Sequence, residues 1–149
     1  AAEGAHSNKG IVWYGMVEFG EGVSELSGLT MHTGGPKAGK RIAAETGERS
    51  IICSIKSHGR GRDGLQFDYD TQLVLNTLAS AKGYQQLIGR CFRDGQQSSV
   101  VDTEIYLHTR ELRNTLEQAL MCGEFVQDIT TEAQMLIDGW QGYSTTLRD

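Results

Sequence analysis

Tyr84-Gln85-Gln86-Leu87-Ile88-Gly89-Arg90-Cys91-Phe92-Arg93-Asp94-Gly95-Gln96 is the stretch on which the reading of this chain turns. Ser80 is placed to cap a helix here, and Gly95 to end it. At about 100° per residue, Tyr84, Leu87, Ile88, Cys91 and Phe92 gather on one side, and Gln86, Gly89, Arg90 and Arg93 on the other. The first side is expected to be buried. The second presents two guanidiniums and an amide, with a glycine that leaves room for a ligand to approach. Guanidinium is always charged and meets phosphate oxygens in a planar fork, so paired arginines suit a polyphosphate. The plainer alternative is an ordinary amphipathic helix with solvated arginines.

The pattern Gln86-x-x-Gly89-Arg90-x-x-Arg93, followed by Asp94-Gly95-Gln96, resembles the sixth motif of superfamily-two helicases. It is most similar to the Swi/Snf-like branch, where a Gly-Gln pair also follows the second arginine. The resemblance implies the C-terminal of two RecA-like lobes. Arg90 and Arg93 would be arginine fingers reaching ATP held by the other lobe, and Gln86 would connect the nucleotide to this lobe. Gly89 would lie against the nucleotide. Cys91-Phe92 and Asp94 depart from the usual residues of the motif.

Outward from that stretch, Ser50-Ile51-Ile52-Cys53-Ser54-Ile55 reads as a buried strand. It runs into Lys56-Ser57-His58-Gly59-Arg60-Gly61-Arg62-Asp63-Gly64-Leu65-Gln66, whose glycines permit close backbone approach to a ligand. Open α/β sheets bind ligands at such loops; a plain mobile connection is the alternative. The run resembles the fifth helicase motif in its phage-type form, with Gly64 as one extra residue. The resemblance implies nucleic-acid backbone contacts from Ser54, Lys56, His58, Gly59 and Arg60, and nucleotide contacts from Gly61, Arg62, Asp63, Gly64 and Gln66. Either Asp63 or Gln66 would meet the ribose.

Upstream, Ile11-Val12-Trp13-Tyr14 is a short apolar run expected as a strand, followed by a helix over Val17–Leu29 and a brief strand at Leu29–His32. Gly34-Gly35-Pro36-Lys37-Ala38-Gly39-Lys40-Arg41 nearly spells a phosphate-binding P-loop. Arg41 stands where that motif needs a hydroxyl, and Pro36 removes a backbone N–H. It reads as a basic surface loop. Downstream, Thr71–Asn76 is expected as a strand, and so is Ser99–Thr109, where Val101, Thr103, Ile105 and Leu107 share a side. Arg110–Trp140 reads as helical, with a stripe of Leu112, Leu116, Ala119 and Leu120. A break is expected at Gly123, and residues 128–131 are expected to cap a last helix holding Ala133, Leu136 and Trp140.

The expected fold is therefore α/β: a three-layer RecA-like domain with a mainly parallel sheet and a helical C-terminal extension. The expected division is a flexible segment at 1–9, the lobe at 10–109 and the extension at 110–149. The 149 residues fit one domain, and a hydrophobic share of 38% with 22% charged residues excludes a disordered chain. No run is apolar enough for a membrane span, and no signal peptide is visible. Net charge is −5, so any nucleic-acid contact needs a local basic patch. Cys53, Cys91 and Cys122 form no Cys-x-x-Cys pair and are expected as buried thiols in a reducing cytoplasm, bacterial or of a phage-infected host. His6, His32, His58 and His108 lack metal-ligand spacing, so no metal site is expected.

The functional expectation is the C-terminal lobe of an ATP-dependent DNA helicase or translocase (RNA remaining open), inactive without an N-terminal lobe. The cofactor would be ATP with Mg²⁺, held mainly by that lobe. With no initiating Met, the chain is expected to be an excised fragment or a processed form. The alternatives are a small P-loop phosphotransferase using Gly34–Arg41 and a non-catalytic nucleic-acid or protein interaction module.

Overall fold

Strands buried on both faces must be apolar almost throughout, and the centre of this sheet is built that way. In a computed structural model, which describes residues 9–34, 37–45, 49–58, 64–78 and 80–142, β1 (Ile11–Tyr14) is the central strand. It pairs in parallel with β3 (Ile51–Ser54), Ile11 opposite Ile51, and with β4 (Thr71–Val74), Ile11 opposite Gln72. β2 (Met31–His32) and β5 (Asp102–Ile105) take the two edges, giving the order β2-β3-β1-β4-β5 with every pairing parallel. On the β5 edge, Val101, Thr103, Ile105 and Leu107 are partly covered and the residues between them are exposed, the alternation expected of a half-buried strand.

Helices cover both faces. α1 (Val17–Ser27) lays Phe19 and Val23 on Tyr14, Ile52 and Leu75. The opposite face buries Trp13, Ile51, Cys53 and Val74 beneath Ile42 of α2 (Ala38–Glu45), Leu65 of a 3₁₀ turn (Leu65–Phe67) and Leu87 of α4 (Ala81–Ile88). The fold is thus a three-layer RecA-like α/β domain.

Part of the basic segment after β2 is helix. Ala38 and Ile42, one turn apart, are both buried, while Lys40 and Arg41 stay exposed. Reading Lys37–Arg41 as loop gave weight to its charges and overlooked the helical period that continues past Arg41. Gly35 and Pro36 lie outside the described residues.

The C-terminal helices pack beside α4. Leu116 and Ala119 of α5 (Arg110–Thr130) and Leu136 of α6 (Met135–Gly139) close over Tyr84, with Ile105, Leu107 and Trp140 at the margin. α5 is unbroken through Gly123, against the expected interruption. A Cβ at that position would stand 2.9 Å from Ile137 Cγ1 and 3.4 Å from Ala81 Cβ, so this glycine is a place of close approach. Residues 128–131 do not cap the last helix: Thr131 ends α5 in the left-handed conformation (φ 58°), and Gln134 precedes α6. Ala133 lies in the link between the two helices. The side-chain carbonyl of Gln85 accepts from the Met135 amide (2.8 Å) and the Gln127 amide donates to Asp138 (2.9 Å), tying α6 to its neighbours.

Candidate functional site

Ser80 caps α4 as its sequence suggests, accepting from the Gly83 amide. The helix then stops at Ile88, with Gly89 at its cap, short of both arginines. Successive turns follow: the amides of Arg90, Cys91 and Phe92 donate to the carbonyls of Leu87, Ile88 and Ile88, and that of Arg93 to Cys91. Arg90 and Arg93 therefore stand on irregular backbone rather than along one helix face. Cys91 is in the core, as expected, but Phe92 is 51% exposed, because the turns rotate it away from the buried side.

Side chains from elsewhere in the fold hold the end of α4 and the segment that follows it. Gln72 lies buried in β4, where it accepts from the Trp13 indole (2.9 Å) and donates to Thr103 Oγ1 (3.3 Å) and to the Ile88 carbonyl (3.4 Å). That last bond adds a third donor to a carbonyl that already accepts from the Cys91 and Phe92 amides. Gln96 works from the other side, donating to the carbonyls of Tyr69 (2.7 Å) and Cys91 (3.1 Å) and accepting from the Ser98 amide (3.1 Å). The Ser98 hydroxyl donates to Asp70 (2.6 Å). Tyr69 and Asp70 immediately precede β4, so the arginine segment sits at the N-terminal edge of the sheet.

The end of the glycine-rich loop reaches the same edge. Gln66, also buried, accepts from the Gly64 amide (3.2 Å) and donates to the Asp94 carbonyl (3.3 Å). Gly95 has φ 94°, and a Cβ there would lie 2.5 Å from the Phe67 ring, so close packing and left-handed backbone both call for glycine. The start of the loop is elsewhere. Ser54 ends β3 and Lys56 is exposed on the turn α3 (Ile55–His58), at the C-terminal edge. His58 closes that turn; Gly59, Arg60, Gly61, Arg62 and Asp63 lie outside the described residues.

The structure accordingly brings Gly64, Gln66, Gly89, Arg90 and Arg93 to one edge, and Ser54 and Lys56 to the other. Gln86 is half-buried near the end of α4; its backbone carbonyl accepts from Arg90 Nε (3.3 Å), which turns that guanidinium back along the helix. Arg93 is exposed. Beneath them the Cys91 thiol is pushed up to about 12, first by burial and next by the Asp70 carboxylate, with Arg90 opposing. Cys53 is buried as well, but Cys122 is exposed on α5, contrary to expectation: it falls past the margin of the buried stripe, about 60° from Ala119 and about 120° from Leu116. Among the described residues no group of three or more His, Cys, Asp or Glu could hold a metal ion, and no helix is long and apolar enough to cross a membrane.

Local pattern places Phe67 and Asp70 in a turn-rich link and Gln72 in the Thr71–Asn76 strand without marking their tertiary bonds, and it marks Gln96 only as part of a motif. Gln72 carried a usable signal: an amide inside an otherwise apolar strand must find buried partners.

No protein-family model matches the chain, and no curated protein matches it. Among solved structures it is similar to the C-terminal part of the Fun30 ATPase domain, at a TM-score of 0.58 and 12% identity over 77% of this chain. The match spans 40% of that structure's chain. At this identity the similarity is one of fold.

Proposed function

We propose that the chain is the C-terminal lobe of an ATP-dependent DNA helicase or translocase of the Swi/Snf-like, phage-type branch. The observation that carries this reading is the convergence of two distant segments, Gly64–Gln66 and Gly89–Asp94, on one edge of a RecA-like sheet. The fold shared with part of an ATPase domain supports it coarsely.

In this reading ATP with Mg²⁺ is held chiefly by an N-terminal lobe facing that edge. Arg90 and Arg93 meet the β- and γ-phosphates when the cleft closes, and their fixed charge stabilises charge developing on the transferring phosphoryl group. Either Asp63 or Gln66 meets the ribose, with Gly64 beside them. Ser54 and Lys56, at the far edge, contact nucleic-acid backbone, which positions the strand without reading its sequence. Because the two ligands bind opposite edges of one rigid sheet, lobe closure on nucleotide shifts the grip on nucleic acid.

The test is Arg93→Ala in the two-lobe protein. Turnover should fall by roughly 10³-fold or more, as for removal of an arginine finger, with ATP affinity little changed. Turnover near that of the parent would remove the assignment.

A further inference from the structure

The charge of this chain is not spread evenly. Residues 114–147 contain no lysine or arginine but hold Glu117, Glu124, Asp128, Glu132 and Asp138. The other 14 acidic residues balance all 14 Lys and Arg, so this segment carries the whole net charge of −5.

The same segment displays an apolar row. Met121, Phe125 and Ile129 follow one another at successive turns of α5 and are 71%, 65% and 64% exposed. The row is about 12 Å long. Scattered surface apolar residues need no explanation, but three in line on the side of a helix turned away from its own core do. At about 100° per residue, Glu124 and Asp128 fall along one flank of the row, roughly 60–100° from Phe125, and Glu117 continues that flank one turn after Arg113. All three are exposed.

An apolar row beside a carboxylate row is complementary to a helix carrying the same two rows with the opposite charge. We infer that the outer face of α5 docks a basic amphipathic helix of a partner protein, its apolar side on Met121, Phe125 and Ile129 and its Lys or Arg row along Glu124 and Asp128. The surface lies away from the arginine segment, so its use does not depend on the proposed ATPase role.

The test is fluorescence-anisotropy titration of the full chain with a synthetic amphipathic leucine-lysine helix about six turns long, and with its leucine-glutamate counterpart. The lysine peptide should bind, more weakly as salt is raised, and the glutamate peptide should not. Phe125→Ser/Ile129→Ser should weaken binding at least about tenfold with an unchanged Tm. Glu124→Lys/Asp128→Lys should exchange the preference, binding the glutamate peptide instead. Equal binding of both peptides, or parental affinity in both variants, overturns the inference. So does a self-association, seen by sedimentation, that Phe125→Ser abolishes, since the face would then belong to a second copy.

Discussion

The arginine segment after α4 and the outer face of α5 both display charge, yet they are built in opposite ways. Residues 89–98 have almost no regular structure and are held by side-chain bonds, Gln66 onto Asp94 and the segment's own Gln96 across Tyr69, Cys91 and Ser98. The α5 face needs none of this. Its charges and apolar groups are placed by helical period alone. The first construction fixes individual groups, as transition-state stabilisation requires. The second fixes only a pattern of rows, which suffices for a helical partner.

That contrast can be broken most forcefully at Gln72. Gln72→Leu strands the buried Trp13 indole N–H and removes the bonds to Thr103 and to the Ile88 carbonyl, at a cost of about 2–4 kcal/mol. The melting temperature should fall by about 6–12 °C, checked by circular dichroism. Gln96→Ala should cost only about 1–2 kcal/mol, but loosening the arginine segment should cut two-lobe turnover by about 100-fold. A turnover loss no greater than that of a surface variant would mean the tether does not position the arginines.

Gly123→Leu tests the helical side. The added side chain meets Ile137 and Ala81, so we expect a loss of about 1–3 kcal/mol in urea unfolding and a loosened α6.

Alkaline titration sharpens the comparison further. Cys91 rises from 9.0 to about 12 and Tyr84 from 10.0 to about 12, the latter first by burial, opposed by the Leu78 amide that donates to its hydroxyl. Both are neutral when protonated and hold their proton more tightly folded than unfolded. Their contribution is therefore complete below pH 9 and is lost as pH rises toward 12. Cys91→Ala should move the onset of this loss from about pH 9 to about pH 10 in pH-dependent unfolding. The smallest effect on stability is that of Phe125→Ser, within about 0.5 kcal/mol of the parent.

How much of this could be read in advance follows the same division. β1 and β3 were legible because a strand covered on both faces leaves no room for polar residues, and β5 because an edge strand alternates. Ser80 was legible as a local cap. The end of α4 was not, because helical spacing continues through Arg93 while the bonds that hold the segment after it come from Gln66 and Gln96, outside that spacing. Gly123 misled for a related reason. Glycine lowers helix propensity by about 1 kcal/mol, but here α6 packs where a side chain would be. Of the site, residue types and spacing were readable, whereas which edge of the sheet each segment reaches depended on the fold.

If Arg93 acts on the transition state of phosphoryl transfer, affinity for a mimic of that state depends on it while affinity for ATP does not. In the two-lobe protein, Arg93→Ala should weaken binding of ADP with aluminium fluoride by about 100-fold or more, with ATP affinity changed by less than about threefold. Equal losses for both ligands, or no loss for either, would contradict the account.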